Sequence, residues 1–361
     1  MRIPRKMEHV HHALEIGQSG RQGLKDIQIV HNCLPSASTD SISLTSRIGD
    51  LILSSPILIN AMTGGALETE EINRELAVVA REKQFAMAVG SQMAAIKNKE
   101  VASSYRVVRQ INPNGIIFAN LGSEATVDQA MQAVEMIGAN ALQIHLNVMQ
   151  ELIMPEGDRN FNGMLDRISA IVERVQVPVI VKEVGFGIMS DNARQLKSIG
   201  VHILDVGGSG GTNFAAIENA RRQTPLDWLN DWGCQTSVAL MEALSVYPRG
   251  AVIASGGITN ALEAAKALTL GASVVGMAGA FLRVLRTEGT PALMAFADEL
   301  IDGLIILMTA LGAATVEELW SRPVVITGET AEWCRLRGID ITEYARRGSA
   351  SKTATSCHTK E

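Results

Sequence analysis

From about residue 56 onward, short apolar segments alternate with longer stretches in which apolar and polar residues recur at helical spacing. The apolar segments are rich in β-branched residues, which pack well on the pleated surface of a buried strand. Eight of them follow one another, most at the roughly 30-residue interval of a barrel unit: 56–61, 85–90, 115–121, 141–147, 177–183, 202–207, 251–255 and 273–277. The pattern predicts an α/β fold, a (β/α)8 TIM barrel.

The amphipathic stretches between these segments predict helices, several of which end in a glycine just before the next strand. They cover 70–83, 101–110, 126–138, 161–175, 190–200 and 260–271. The long interval at 213–247 is interpreted as an insertion plus the sixth helix, and two or more helices follow the eighth strand, to about Gly338. The apolar run from Leu304 to Leu311 is too short to span a bilayer and predicts a buried helix.

The two ends of the chain differ in composition from its middle. Residues 1–50 are polar and mixed, with a short apolar segment at 27–30, and are interpreted as an N-terminal arm and lid. The barrel is assigned to 51–340, and the tail 348–361, rich in Ser, Thr and Lys, is predicted to be disordered. A doubly wound open sheet is the competing architecture, but its G-x-G-x-x-G turn is missing after the first strand.

Composition narrows the class of partner and the compartment. The formal net charge of -6 and the lack of a basic stripe argue against nucleic-acid binding. The four cysteines are scattered without a C-x-x-C pair, which is typical of a reducing compartment. No signal peptide or membrane span is recognisable, so we expect a cytoplasmic protein that binds no membrane.

The densest group of polar side chains follows the fourth strand. An imidazole, two carboxamides and a carboxylate stand close together there, and a short turn so rich in polar groups usually faces a ligand. These are His145, Asn147, Gln150 and Glu151. The alternative is a polar loop whose side chains bond only to one another.

Other strand ends also carry unusual residues. Small residues at 61–65 and 90–92 leave backbone amides open to a flat ligand. Lys182 lies within a buried strand and needs a permanent partner, which could be an anion or an electron-rich ring. A salt bridge with a strand carboxylate is the alternative, although strand alternation places Glu183 on the opposite face.

Three glycine-rich segments end the last three strands, at 207–213, 255–258 and 276–280. In barrels of this class the loops after strands 7 and 8 bind phosphate through backbone N–H groups that small residues leave uncovered. Tight turns without a ligand are the alternative. Together the three segments predict a phosphate site.

The glycine pairs at 255–258 and 276–279 resemble the phosphate grip of FMN-dependent barrel oxidoreductases. The run from His145 to Asp158, with Arg5, Lys6 and the segment 61–65, is more specific and resembles the type 2 isopentenyl-diphosphate isomerases, over a region from Arg5 to about Gly338. This resemblance implies interconversion of isopentenyl and dimethylallyl diphosphate in isoprenoid biosynthesis. It also implies FMN, Mg2+, NADPH as the reductant, and a homo-tetramer or homo-octamer.

The same resemblance assigns residues to roles. Gln150 is given to catalysis at the substrate and Glu151 to the metal, while Arg5 and Lys6 hold the diphosphate with His9, Gln92, His145 and Asn147 as helpers. Some relatives have an arginine where this chain has Met93, which shifts weight to Arg5, Lys6 and His145. The FMN contacts implied are Met62, Thr63, Gly64, Ser91, Asn120, Lys182, Ser209, Thr212, Gly256, Gly257, Ala278 and Gly279.

Moving a double bond requires a proton delivered to one carbon and another removed from its neighbour, hence an acid and a base. Glu151 is assigned to Mg2+, so we hypothesise that reduced FMN carries the proton through N5 or N1 while Gln150 orients or assists. An FMN-dependent oxidoreductase, of the 2-hydroxy-acid oxidase or dihydroorotate dehydrogenase kind, is the alternative. The His-Gly-Gly-Arg-type pair of a hydroxy-acid oxidase is missing near the seventh strand, and no cysteine follows the sixth as in a nucleotide dehydrogenase. A non-catalytic phosphate-binding barrel would not need so many polar strand ends.

Overall fold

The computed structural model describes residues 14–16 and 20–348. Within these ranges three short strands precede the repeating units: β1 (Ile27–Ile29), β2 (Ser46–Ile48) and β3 (Leu51–Leu53). β1 confirms the strand predicted at 27–30. β2 and β3 pair as an antiparallel hairpin, and their buried Ile48 and Leu53 pack into the interior of the barrel that follows.

Eight parallel strands close into a barrel in which each strand pairs with the next along the chain and the last pairs with the first. The predicted (β/α)8 barrel is therefore confirmed, and each strand overlaps one predicted segment. The strands are β4 (Ile57–Ile59), β5 (Ala86–Ala88), β6 (Ile117–Gly122), β7 (Ala141–Leu146), β8 (Val179–Glu183), β9 (Ile203–Asp205), β10 (Val252–Ser255) and β11 (Val274–Met277).

Helices connect the strands and cover the outside of the barrel. In chain order the helices are α1 (Glu68–Lys83), α2 (Met93–Lys97), α3 (Ser103–Ile111), α4 (Val127–Ile137), α5 (Val148–Ile153), α6 (Met164–Arg174), α7 (Ser190–Ser198), α8 (Phe214–Ala220), α9 (Thr236–Leu244), α10 (Ala261–Leu270), α11 (Gly279–Leu311), α12 (Val316–Leu319), α13 (Gly328–Leu336) and α14 (Thr342–Ala345). The six predicted helices are present as α1, α3, α4, α6, α7 and α10. Short 3-10 turns occupy Leu24–Asp26, Thr39–Ser41, Lys99–Ala102 and Asp227–Leu229.

One expectation needs correction. The polar turn expected after β7 is the helix α5, which is too short to show an apolar period in the sequence. The interval 213–247, interpreted as an insertion plus the sixth helix, holds two helices, α8 and α9.

The predicted buried helix at 304–311 is the last part of α11, and only one of its faces is buried. Leu304 and Met308 have no exposed surface, whereas Ile306 is 62% exposed. α11 is kinked at Gly289, whose φ of 84° is not helical. No helix in the described part of the chain has both the length and the apolar character needed to cross a bilayer.

A strand that the sequence did not predict, β12 (Val324–Ile326), pairs antiparallel with β1. Asp26 strengthens this tie, because its carboxylate accepts hydrogen bonds from the backbone N–H and hydroxyl of Thr330, at 3.0 and 2.9 Å. The segment before the barrel is thereby fixed to the helices after it. The division at residue 50 stays a prediction.

Alternation along the barrel strands sorts their side chains into two apolar sets. Ile57 and Ile59 belong to the cluster shared with the surrounding helices, whereas Leu58 belongs to the interior cluster with Phe118 and Ile203. Two positions beyond these interior residues the character changes, and polar side chains such as Asn120 follow. The polar positions lie at the carboxyl ends of the strands, where TIM barrels build their active sites.

Candidate active site

A cavity of about 570 Å³ opens at the carboxyl ends of the strands, a volume typical of small-molecule sites. Residues following all eight barrel strands line it. The predicted site residues that line it are Met62, Thr63, Ser91, Asn120, His145, Asn147, Gln150, Glu151, Lys182, Thr212, Gly256, Gly257, Ala278 and Gly279. Residues spread over more than 200 positions of the chain are therefore brought to one concave surface.

One wall of the cavity is built from the glycine-rich loops that follow β9, β10 and β11. Gly256 and Gly257 have φ of 113° and 77°, and a Cβ on either would lie 2.0 or 2.4 Å from a carbonyl oxygen of Gly208 or Gly210. Only glycine allows these backbones to pack so closely. α11 begins at Gly279 on the same wall, so its unpaired N–H groups add to a surface suited to an anion.

Lys182 lies at the end of β8 and is only 8% exposed. Its Nζ donates a hydrogen bond of 2.8 Å to the main-chain oxygen of Glu183. A carbonyl oxygen does not neutralise a buried ammonium group, so an anion or an electron-rich ring in the cavity would stabilise it further.

Glu183, the next residue, orders the loop that follows β8. One of its carboxylate oxygens accepts hydrogen bonds from the backbone N–H groups of 184–187, at distances from 2.5 to 3.2 Å. Burial raises the pKa of this carboxyl to about 7, and the backbone hydrogen bonds oppose the rise. The considered salt bridge to Lys182 is thus replaced by a bond to the Glu183 backbone.

On α5, Gln150 and Glu151 are held by different partners. Glu151 accepts 2.9 Å hydrogen bonds from the side-chain amide of Asn147 and from the backbone N–H of Asp158. Gln150 is 9% exposed, and its Nε2 donates a 2.9 Å hydrogen bond to Glu218 on α8. Neighbouring residues of a helix point about 100° apart, so the two side chains reach different parts of the cavity.

Glu218 has no exposed surface, so its charge needs compensation inside the protein. Arg221 supplies it through a 2.5 Å ion pair, and the same guanidinium binds Glu156 at 2.5 Å. The ion pairs join α8 to the segment after α5. The carboxamide of Gln150 therefore bonds to a fixed acceptor.

Three predicted site residues, Arg5, Lys6 and His9, lie outside the described residues. Three others that the structure describes do not line the cavity. Gln92 is fully buried, and its carboxamide bonds the backbone of Asn120 and Ala133 at 3.0 and 2.9 Å. A Cβ on Gly64 would overlap the ring of Tyr105. Ser209 bonds through its backbone to Cys234 and Thr236. The last three support the cavity wall from behind.

Two curated relatives match almost the whole chain. An isopentenyl-diphosphate delta-isomerase of Bacillus pumilus (strain SAFR-032) is 52% identical over 352 residues, 97% of this chain and 99% of the relative. One of Bacillus cereus (strain AH820) is 56% identical over 348 residues, 96% of this chain and 100% of the relative. The chain belongs to the isopentenyl-diphosphate delta-isomerase family.

The family model for FMN-dependent dehydrogenases also matches this chain, over residues 148–326. Among solved structures, a lactate oxidase of Pediococcus acidilactici superposes with a TM-score of 0.64 at 14% identity, covering 91% of this chain and 96% of that one. A mandelate oxidase has a TM-score of 0.61 at 16% identity, covering 90% and 93%. At such low identity these two structures support the fold alone.

The cavity fits FMN by the chemistry of its wall and floor. The loops around Gly256 and Gly257 leave no room for side chains and offer backbone N–H groups to a phosphate. Lys182, on β8, adds a buried cation to the cavity lining, where a flavin ring can meet it. Thr63 and Asn120, both buried and lining the cavity, add further polar atoms to it.

The described residues contain no group of three or more His, Cys, Asp or Glu side chains arranged to bind a metal ion. Acidic residues nevertheless concentrate at the rim beside Glu151. Burial raises the pKa of the Glu124 carboxyl, and the charges of Glu151 and Asp158 add to the rise. A single carboxylate such as Glu151 suits Mg2+ when ligand oxygens and water complete its coordination.

Sequence reasoning missed several residues that shape the site. Lys97 and Glu124 line the cavity, but they stand in stretches with no recognisable motif. Asp158 also lines it and ends the recognised run from His145, but it was given no role. Glu218 lies 68 positions from Gln150 in the chain, so nothing local could pair them. Asp205 was visible as a charge ending an apolar strand, a signal that could have been noticed.

Proposed function

We propose that this chain interconverts isopentenyl diphosphate and dimethylallyl diphosphate with FMN bound in the cavity. Full-length identity of 52% and 56% to isopentenyl-diphosphate delta-isomerases is the observation that carries this function. The separate anchoring of Gln150 and Glu151 at one cavity supports it. The two side chains can serve the two ends of a substrate that is hydrocarbon at one end and anionic at the other.

FMN would be held by the residues that line the cavity. Gly256, Gly257 and the start of α11 at Gly279 would receive its phosphate, and Lys182 would face its ring. Reduced FMN supplies an electron-rich ring with exchangeable protons, which is the acid–base capacity that the isomerisation requires. NADPH would serve to reduce the flavin, without being consumed in the isomerisation.

Gln150 would orient the hydrocarbon end of the substrate. Its Nε2 donates to the buried Glu218, which leaves the carboxamide in a fixed position. Glu151 would bind Mg2+ with one carboxylate oxygen while Asn147 and Asp158 keep the group in place. The metal would in turn neutralise the diphosphate.

The anionic end of the substrate needs cations beyond the metal. Arg5, Lys6 and His9 are proposed for this role from the resemblance alone, with His145 and Asn147 at the cavity wall. Among cavity-lining residues of the described ranges, Lys97 and Lys182 are the lysines, and no arginine lines it. We include Lys97, at the end of α2 four residues after Met93, as a diphosphate contact.

Lys97→Ala should then raise the substrate KM by about threefold to tenfold, the loss of one charge-assisted contact at an exposed site. Lys99→Ala, on the exposed surface just beyond, is the matched control. Steady-state kinetics at saturating FMN measures both. Equal KM values for the two variants would remove Lys97 from the substrate site.

The oxidoreductase alternative draws only on fold, because the oxidase structures share 14% and 16% identity with this chain. The two functions differ in stoichiometry. An isomerase forms dimethylallyl diphosphate without net NADPH consumption, whereas an oxidoreductase transfers two electrons, and so consumes one molecule of electron acceptor or donor, per turnover. A homo-tetramer or homo-octamer in the cytoplasm completes the proposal.

The decisive experiment compares Gln150→Asn with Glu151→Gln. Gln150→Asn retracts the carboxamide by on the order of 1 Å, which can cost about 100-fold when geometry carries catalysis, and should lower kcat with Mg2+ dependence unchanged. Glu151→Gln removes the anionic ligand, so activity should partly return at high Mg2+. Product formation measured across a Mg2+ titration reads both. Rescue of Gln150→Asn by Mg2+, with no rescue of Glu151→Gln, would reverse the two roles.

A further inference from the structure

A chain of hydrogen-bonded side chains crosses the interior of the barrel beneath the cavity. It starts at Ser255 on β10, passes through the Asp205 carboxylate on β9 and reaches His145 on β7. From Asp205 the donor–acceptor distances are 2.7, 3.0, 3.0 and 2.9 Å, and its members in order are Ser255, Asp205, Asn60, Gln143, Asn120 and His145. Gln143 and Asp205 have no exposed surface, and Asn60 and Asn120 have 4% and 2%.

Asp205 gives this chain a direction. A carboxylate only accepts hydrogen bonds, so Asn60 presents its Nδ2 to Asp205 and its oxygen to Gln143, and that oxygen also accepts a 2.8 Å bond from the backbone N–H of Ala61. Gln143 then donates through Nε2 and accepts from Asn120. The oxygen of Asn120 is left facing Nδ1 of His145, which must carry a hydrogen to complete the bond. Each carboxamide passes the same orientation to the next.

We propose that Asp205 is a positioning residue that holds His145 as the Nδ1–H tautomer through the carboxamides of Asn60, Gln143 and Asn120. A neutral imidazole has one donor and one acceptor nitrogen, so Nε2 then carries a lone pair. His145 meets a ligand as an acceptor while neutral and as a donor only when positively charged. The link to substrate rests on the proposed function, whereas the tautomer does not.

The network also explains why buried polar residues occupy barrel positions that would otherwise be filled by apolar side chains. A buried polar group without a partner costs roughly 1–3 kcal/mol, and a partly satisfied network is worse than an apolar core. Here the carboxamides of Asn60, Gln143 and Asn120 each donate a hydrogen bond and accept at least one. One misplaced orientation would set two oxygens or two amino groups against each other.

Solid-state 15N NMR of the FMN-bound, full-length protein labelled at histidine reads the tautomer directly, and His145→Gln identifies the signal. At a pH where His145 is neutral, only the Nδ1–H form is expected. Asp205→Asn keeps the shape but can donate to Asn60, so the series of carboxamides can reverse, at the loss of the bond from the Ala61 backbone N–H to the Asn60 oxygen. It should lose the exclusive tautomer and show the Nε2–H signal.

A swap of the two groups tests the relay itself. In the double variant Asp205→Asn with Asn60→Asp, the carboxylate lies one step further along and again accepts from Gln143, so the Nδ1–H form should return. Ser255→Ala, at the far side of the carboxylate, should leave the tautomer unchanged. A generally loosened barrel would not be restored by a second substitution.

An Nε2–H signal in the wild type, or an Nδ1–H signal that persists unchanged in Asp205→Asn, would overturn the proposal. FMN absorbance confirms that each variant is folded. Isomerisation of isopentenyl diphosphate is measured separately, because His145 can be the Nδ1–H tautomer even if the protein lacks this activity. If Asp205→Asn does not fold, Gln143→Glu is the second variant. Its carboxylate still accepts from Asn120 and should keep the Nδ1–H form, so loss of that form would contradict the relay.

Discussion

Two layers of inward-facing residues fill the barrel, and they lie two positions apart on the same strands. The first layer is apolar, with Leu58, Ala86, Phe118, Ala141, Ile180, Ile203, Ile253 and Val274. The second is mostly polar, with Asn60, Ala88, Asn120, Gln143, Lys182, Asp205, Ser255 and Gly276. The two layers thus lie roughly 6–7 Å apart along each strand. The apolar layer belongs to the core, and the polar layer lies at the site.

The difference between the layers lies in how each is stabilised. The apolar layer gains free energy by burial alone and needs no particular partner for each side chain. The polar layer needs hydrogen-bond partners, and side chains at the ends of β4, β6, β7, β9 and β10 supply them to one another. Changes in the first layer should therefore act on folding, and changes in the second on ligand binding.

The largest effect is expected in the apolar layer. Phe118→Ala removes a fully buried ring and should reduce the free energy of unfolding by about 3–5 kcal/mol. FMN content per folded molecule should stay unchanged. Urea denaturation measures the stability, and Leu336→Ala, at a side chain that is 69% exposed, serves as the control with a change of about 0.5 kcal/mol or less. Loss of FMN from folded Phe118→Ala would contradict the expectation that the apolar layer affects folding and not ligand binding.

The sharpest test uses two residues of β8. Lys182→Ala should weaken FMN binding by about tenfold to a hundredfold, because no other buried lysine or arginine of the described residues lines the cavity. Ile180→Ala, two positions earlier, should lower stability by about 2–5 kcal/mol and retain FMN. The ratio of flavin to protein absorbance and the unfolding midpoint are measured on both. Full flavin occupancy in Lys182→Ala would contradict the proposal that Lys182 contacts the flavin ring.

The same contrast explains how far the sequence could predict the structure. The apolar layer follows from strand periodicity, which is local, so the barrel and its eight strands were predictable. The ends of those strands were predictable as polar, as for Asn120 and Lys182. Their pairings were not, because Asp205 and Asn60 are 145 positions apart and meet only when the barrel closes.

Short elements limited the prediction in a different way. α5 has six residues, so its helical spacing cannot appear in the sequence, although Gln150 and Glu151 within it were recognised as site residues. β12 has three residues and exists because β1 offers it an edge. Tertiary contacts decide such elements, whereas long helices such as α1 carry their own pattern.

The smallest expected effect concerns Glu183, the neighbour of Lys182 whose side chain alternates away from the polar layer. Its pKa is raised by burial from 4.5 to about 7, so the folded protein keeps this proton at pH values where the unfolded chain has released it. Stability should fall as pH rises between these two values, and the cost is fully present above about pH 7.

Glu183→Gln removes this titration while retaining an oxygen that can accept from the backbone N–H groups of the loop at 184–187. The difference in free energy of unfolding between the variant and the wild type should grow by about 1–2 kcal/mol, in favour of the variant, from pH 5 to pH 8. Urea unfolding of the FMN-bound protein at both pH values measures the gain, with the exposed helix substitution Glu317→Gln as the control. A stability difference that does not change with pH would mean that Glu183 folds as a carboxylate at no cost, held by the four backbone donors alone. The two neighbouring residues of β8 would then differ in the same way as the two layers. Lys182 would need a ligand to neutralise its charge, whereas the Glu183 carboxylate would be satisfied by the backbone of its own loop.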